Sequence, residues 1–228
     1  MSPADRLQAG LAALGLELSA AMQSRLLAYV ALLQKWNRTY NLTAIRDESE
    51  MVTQHLLDSL SVLPAMSGAA PAGPRRGIPL TPGEGRQSPG PRWADVGSGA
   101  GLPGIPIAIA RPDLEMALIE VVEKKTAFQR QAKIELGLAN ITVVGGRVED
   151  LAGGQFDAVV SRAFAELADF VRLAGHLLAQ NGRLYAMKGL APEDEMRRLP
   201  QGWAVVERVK LEVPGMDAQR HLIVLEKV

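Results

Sequence analysis

The stretch Asp95-Val-Gly97-Ser-Gly99-Ala-Gly101-Leu-Pro103 decides the reading of this chain. Three alternating glycines let a backbone bend sharply and approach a ligand closely, because glycine has no Cβ to clash. A short strand near 93–96 leads into the bend. Pro103 suits the first turn of the helix that follows, where a missing N–H costs nothing. That helix start is expected to aim unpaired N–H groups at the pocket. About twenty residues after the turn begins, Glu120 closes the apolar strand Met116-Ala-Leu-Ile119. A carboxylate there can accept hydrogen bonds from both hydroxyls of a ribose. The whole unit predicts a nucleoside-binding crevice.

Gly99-Ala-Gly101-Leu-Pro-Gly104 also satisfies the G-x-G-x-x-G pattern of dinucleotide sites. Two details count against a pyrophosphate. Asp95 stands just before the turn, where its charge would repel phosphate and attract an ammonium group. Pro103 removes one N–H that a pyrophosphate would use. S-adenosylmethionine, an adenosine carrying an amino acid and a sulfonium, fits better; a nicotinamide or flavin dinucleotide is the alternative.

The chain has 228 residues, enough for one domain, or one domain with an appendage, with a substantial core. Its 25 basic and 25 acidic residues cancel, so any nucleic-acid surface must be local. Cysteine is absent, which excludes a disulfide framework and the thiolate addition used to methylate carbon five of a pyrimidine. His55, His176 and His221 lie far apart in sequence, so no metal site is expected. The start lacks a basic segment followed by an apolar run, and no 18-residue apolar stretch occurs. A cytoplasmic, monomeric protein without a membrane partner is expected.

Residues 1–66 read as a helical cap. Met22, Leu26, Tyr29, Val30, Leu33 and Trp36 recur at helical spacing after Ser19, a suitable N-cap. A second helix is predicted from Glu48 through Leu63, capped by Asp47 and stopped by Pro64. Between them, Lys35-Trp-Asn-Arg-Thr-Tyr-Asn-Leu-Thr43 interleaves aromatics with polar residues: it is either a helix end that packs Trp36 and Tyr40 onto the core or, with Lys35, Arg38 and Arg46, a positively charged lip for RNA phosphates. Residues 67–92 contain twelve glycines and prolines and lose apolar periodicity, so a flexible loop is expected there, with Arg75, Arg76, Arg86 and Arg92 as its main charges. From 93 to 228 strands and helices alternate. Strands are predicted near 93–96, 116–120, 141–144, 157–161, 183–188, 204–211 and 221–226, and helices near 103–110, 124–137, 166–179 and 192–199. The fold class is therefore α/β, a seven-stranded, mostly parallel, doubly wound sheet. The last two strands are joined too tightly for a crossover helix and should pair antiparallel. This is the layout of the class I S-adenosylmethionine-dependent methyltransferase fold.

Ligands of such sheets bind outside the carboxyl ends of the strands. That rule selects Glu149 after the third strand, where an acid could meet an adenine amino group. It selects Arg162 after the fourth, where a guanidinium could fix a carboxylate or phosphate, or pair with Asp95 or Glu120. Lys188, after the fifth, adds a second cation to the same rim. The fourth strand does not end in the Asn/Asp-Pro-Pro-aromatic pattern of enzymes that methylate exocyclic amines. A ring nitrogen such as guanine N7 presents an in-plane lone pair and loses no proton, so alignment alone suffices. Proximity can contribute about 7–11 kcal/mol to such a step.

Lys35-Trp-Asn-x-x-Tyr-Asn-Leu-Thr43, His55-x-x-Asp58-Ser59, the Asp95-to-Pro106 segment, Ser161-Arg-Ala-Phe-Ala165 and Lys188-Gly189 together resemble the RsmG (GidB) family. These are bacterial methyltransferases of guanine N7 in 16S ribosomal RNA. The resemblance spans nearly the whole chain and departs at 67–92, a segment longer than expected. It implies that Gly97 and Leu102 line the cofactor pocket, that Val148 and Glu149 meet the adenine, and that Glu120 takes the ribose. It places Arg162 beside both cofactor and target base, as the catalytic residue. It also implies the small ribosomal subunit, or a late assembly intermediate, as substrate. Two other readings are a small-molecule methyltransferase, which would need a closed apolar lid, and an RNA-binding assembly factor that holds the cofactor without turnover.

Overall fold

The computed structural model describes residues 1–66, 90–164 and 166–228. Helix α1 (Pro3–Ala13) opens with a capping box: Ser2 Oγ accepts the Asp5 N–H at 3.1 Å, and Asp5 accepts the Ser2 N–H. Helix α2 (Ala20–Tyr40) is capped by Ser19 as expected and ends at Asn41 in the left-handed conformation, φ 48°. Asp47 caps α3 (Glu48–Met51), which continues through a π-helical turn, Val52–Leu57, into α4 (Asp58–Leu60). The expected run to Leu63 stops early, and Pro64 instead sits in a separate short helix, α5 (Leu63–Met66). A proline is tolerated there because the first turn needs no N–H donor.

Seven strands form one sheet in the order β3-β2-β1-β4-β5-β7-β6. They are β1 (Arg92–Val96), β2 (Glu115–Glu120), β3 (Ile141–Gly145), β4 (Phe156–Ser161), β5 (Leu178–Lys188), β6 (Trp203–Lys210) and β7 (His221–Lys227). The first five run parallel; β7 is antiparallel to both β5 and β6, as the short final connection demands. Helices α6 (Gly104–Ala110), α7 (Glu123–Glu135), α8 (Leu167–Ala174) and α9 (Glu193–Arg197) complete the layers.

The two sheet faces carry separate cores. On one, Trp93, Met116, Leu118, Val160, Tyr185 and Leu222 join Leu7, Leu26, Tyr29 and Leu56 in a single cluster. The N-terminal helices thus share the sheet's own core. On the other face, Phe170 and Leu167 of α8 pack on Val159, Leu184 and Ile223. Among the described residues no helix is long and apolar enough to cross a membrane.

Two expectations need correction. The helix predicted over 166–179 ends at Ala174, and β5 starts at Leu178 instead of 183. Gln180-Asn-Gly182 looks like a turn but is a bulge within β5: Phe156 pairs with Leu178, and the register then jumps to Ala158 with Arg183. A Cβ on Gly182 would meet the Phe156 carbonyl at 2.8 Å, so a glycine is needed for that close passage. Arg92, expected in the loop, is the first residue of β1 and is buried; its N–H donates to Asp157 Oδ2 at 2.7 Å, and its guanidinium lies over the Phe156 ring. Arg75, Arg76 and Arg86 lie outside the described residues.

The motif around residues 35–43 has a local structural job. Buried Asn37 donates to the Ile45 carbonyl at 3.2 Å and accepts the Thr43 N–H at 2.9 Å, folding the chain back after α2. Trp36 packs between Tyr40 and, edge-on, Phe128, with ring centroids at 5.1 and 5.7 Å. Asn37→Ala leaves both backbone partners unpaired and is expected to cost about 1–3 kcal/mol. Urea unfolding should show a lower midpoint with an unchanged slope.

Candidate active site

The bend at Gly97–Gly101 is built from outside itself. Gly97, Gly99 and Gly101 have φ of 69°, 57° and 83°, a region that side-chain-bearing residues avoid. The N–H groups of Gly97 and Ser98 both donate to the Ile119 carbonyl, and that of Gly99 donates to Glu120 Oε2 at 2.8 Å. Gln129 of α7 reaches Ser98 Oγ and the Gly99 carbonyl, each at 2.8 Å. Buried Tyr29 of α2 donates to the Ala100 carbonyl at 2.8 Å.

Asp95 sits beneath this turn. It is fully buried, and its Oδ2 accepts the Gly104 N–H at 2.8 Å, serving as a remote N-cap for α6. The expectation that α6 points free N–H groups at the pocket is therefore corrected. Gly104 N–H is taken by Asp95, Ile105 N–H by the Gly101 carbonyl, and Pro103 and Pro106 have none. A pyrophosphate would find no spare donors at this helix start, which argues against the dinucleotide alternative.

Beyond the turn lies a cavity of about 280 Å³ between the ends of β1, β2 and β4. Glu120 stands at its inner wall, Glu149 and Val148 along one side, and Val121, Phe164 and Leu173 supply apolar surface. Glu120 accepts from Gly99 and Val122 N–H groups at 2.8 and 2.9 Å, which fixes the carboxylate and leaves a lone pair on each oxygen. Gly97 also lines the cavity; a Cβ there would meet Ala163 Cβ at 2.7 Å. Two acids with apolar walls suit an adenosine and fit the cofactor expected from sequence; Arg147 also lines the cavity, and Lys125 Nζ stands 3.8 Å from Glu120 Oε2. Of the expected cofactor residues, Gly97, Glu120, Val148 and Glu149 meet here. Gly99, Gly101 and Asp95 shape the floor from below, and Leu102 packs into the cap-side core.

Arg162 faces the other side of the ridge formed by residues 161–164. It lines a second cavity, about 220 Å³, with Asp58, Met187, Lys188, Gly189 and Arg220. Its Nη1 is 3.1 Å from Asp58 Oδ2, while Asp58 Oδ1 accepts from Arg220 Nε at 3.0 Å. The partner of Arg162 is thus neither Asp95 nor Glu120. Asp58 belongs to a motif quoted from the sequence without a role, and Arg220, in the hairpin before β7, gave no local signal at all. Lys188, expected on the rim, is mostly buried and bonds Glu195 at 2.7 Å and the Phe164 carbonyl at 3.3 Å. Lys35, Arg38 and Arg46 are exposed; Arg38 and Arg46 share a surface depression with Gln34, and Arg46 also bonds Asn41 at 3.0 Å. Among the described residues no group of His, Cys, Asp or Glu is arranged to hold a metal ion.

Burial shifts two side chains of this region into the range around neutral pH or below it. His55, whose Nε2 is 2.9 Å from Thr43 Oγ1, has its pKa pushed down to about 4, first by burial and then by the Arg162 charge. Burial raises Asp95 to about 7, against the opposing pull of the Gly104 N–H and Arg162. Their effects on stability have opposite signs. Unfolded histidine protonates near 6.5 but folded His55 only near 4, so its contribution is lost as pH falls through that window. An unfolded aspartate ionises near 3.8 but folded Asp95 near 7, so its contribution is lost as pH rises between those values. Between pH 5 and 6.5, His55→Asn should therefore tilt the Tm profile downward with rising pH, and Asp95→Asn should tilt it upward. Calorimetry of both variants beside the wild type reads the slopes; three parallel profiles would remove this assignment.

A sequence profile described as rRNA small subunit methyltransferase G (GidB) matches residues 22–72 and 81–223. The ribosomal RNA small subunit methyltransferase G of Aromatoleum aromaticum is 55% identical over 98% of this chain and 99% of its own length. That of Neisseria meningitidis is 50% identical over 100% of both. Among solved structures, a SAM-dependent methyltransferase of Leishmania major superposes with TM-score 0.57 at 18% identity, over 87% of this chain and 83% of that one, a likeness of fold. TrmN from Thermus thermophilus gives TM-score 0.50 at 25% identity over 61% of this chain and 45% of that one. With the glycine bend, its cavity-facing carboxylate and these full-length matches, the chain belongs to the rRNA small subunit methyltransferase G family, S-adenosylmethionine-dependent methyltransferases of 16S ribosomal RNA.

Proposed function

We propose that this enzyme methylates N7 of one guanine in 16S ribosomal RNA, with the cofactor in the 280 Å³ cavity and the target nucleotide entering beside Arg162. The observation that carries this reading is the lack, among the described residues, of an available base at the second cavity. Asp58 is committed to Arg162 and Arg220, and His55 is buried and bonded to Thr43. Guanine N7 needs no proton removed, so such a site suits it, whereas an exocyclic amine would lose a proton during the reaction.

S-adenosylmethionine, when bound, supplies an electrophilic methyl group on a sulfonium. The chain's own residues do the rest. Glu120 would hold the ribose, Val148 and Glu149 the adenine, and the rigid Gly97–Gly101 bend would let the amino-acid end lie close to the backbone. The Glu120 carboxylate and the consumed N–H groups of the helix start together favour a cationic ligand over a diphosphate. Arg162 lies at the ridge between the two cavities and orients the incoming nucleotide; its donors match the carbonyl and phosphate oxygens of RNA. Lys35, Arg38 and Arg46 on the helical cap provide the outer RNA contacts. The exposed cationic lip favours a macromolecular substrate over a small molecule held under an apolar lid. The enzyme acts as a monomer on the small subunit or its late precursor, in the cytoplasm.

Small subunits incubated with tritiated cofactor should take up label, and borohydride–aniline cleavage should break the RNA at a single guanine. Label at an exocyclic amine, or in no RNA, would sink the proposal. Arg162→Ala should lower kcat by on the order of 10²-fold, the scale of a lost positioning contact, while calorimetric binding of the demethylated cofactor persists. Glu120→Gln should weaken that binding about tenfold or more, as expected for loss of a charge-assisted hydrogen bond.

A further inference from the structure

We infer that Arg220 and Arg162, bridged by Asp58, form a subsite for a backbone phosphodiester of the RNA; the inference rests on the methylation reading above. One carboxylate is shared by two guanidiniums: Asp58 Oδ1 receives Arg220 Nε at 3.0 Å and Oδ2 lies 3.1 Å from Arg162 Nη1. The carboxylate is 2% exposed, whereas the two arginine side chains are 28% and 27% exposed toward the cavity. The third cation there, Lys188, is matched by Glu195 at 2.7 Å. A formal positive charge is therefore left over on the cavity wall.

The donors also point to an anion. A guanidinium offers five N–H groups. Arg220 uses Nε on Asp58 and Nη1 on the Gln219 carbonyl at 3.2 Å. Arg162 Nη1 forms an ion pair with Asp58 but no hydrogen bond. The remaining donors have no partner among the described residues, and the buried carboxylate between them holds both forks in place. A phosphodiester presents two charged oxygens that match such forks bidentately. The guanine ring is a poor occupant, because an arginine fork across O6 and N7 would cover the very lone pair that must react. Asp58 comes from the cap, Arg162 from the end of β4 and Arg220 from the hairpin before β7. Two loops and a helix converging on one excess charge do more than a one-to-one structural ion pair requires.

The test is filter binding of a 16S rRNA transcript to the full-length enzyme over a range of KCl concentrations, alongside steady-state kinetics on small subunits. Arg220→Gln should weaken transcript binding and raise KM about tenfold, with kcat and cofactor affinity little changed. The slope of log affinity against log salt should shrink by about 0.7–0.9, one phosphate contact. Arg220→Lys, which keeps the charge, should recover the slope. An unchanged slope with a lowered Tm would make the cluster a structural ion pair and overturn the inference. A loss confined to kcat would overturn it equally, since it would place Arg220 on the reacting base. Transcript binding needs no turnover, so a failure of the N7 reading would show separately, as label at another atom or none.

Discussion

The Glu120 carboxylate and the Gly99 N–H, 2.8 Å apart, tie the end of one strand to the crest of the bend after its neighbour. That bond decides what the crevice can hold. In phosphate-binding turns the backbone N–H groups point outward at the anion. Here Glu120, Asp95 and the Ile119, Ser98 and Gly101 carbonyls consume them from within. The crevice is left with acceptors and few free donors, which suits an adenosine better than a diphosphate. Burying Asp95 costs stability, and its raised pKa registers that cost; the capped α6 and the fixed bend are what it secures.

The acceptor side depends on a second constraint, the seating of the N-terminal helices on the sheet. Tyr29 reaches from α2 to the Ala100 carbonyl, so the bend itself leans on the cap. Asn37 folds the chain after α2 so that Thr43 meets His55, and the π-helical turn carries His55 and Asp58 toward the end of β4. Asp58 would be an expensive buried charge alone; two arginines offset its desolvation. His55 stays neutral because burial and the adjacent guanidinium both oppose its protonation. The two cavities thus belong to one mechanical unit, divided by the ridge that carries Arg162, Ala163 and Phe164.

Much of this was legible along the chain. Ser19 and Asp47 cap the helices they were expected to cap, because capping is a bond to a residue three positions away. The seven strands and the reversed final pair followed from apolar runs and connection length. The errors share a cause. Gln180-Asn-Gly182 carries turn chemistry, yet pairing with β4 absorbs it as a bulge. Arg92 looked like a solvated loop charge, yet Phe156 and Glu115 from other elements pack against its guanidinium and Asp157 takes its N–H. Lys188 does line the cavity beside Arg162, but the partner that matches its charge, Glu195 of α9, comes from another element.

The amino-acid order by itself determined the elements, their sequence, the glycine bend and the carboxylate that follows it, since these rest on dihedral limits, capping and periodicity among near neighbours. Only the tertiary structure decided where charges find their partners. Asp58 and Arg220 are 162 residues apart, and no local pattern links them. Their bond, and the orientation of Arg162 that follows from it, exists because a helix of the cap and a hairpin of the sheet are packed into one core. Coulomb attraction and hydrogen bonding act over a few ångströms, and folding alone sets that distance.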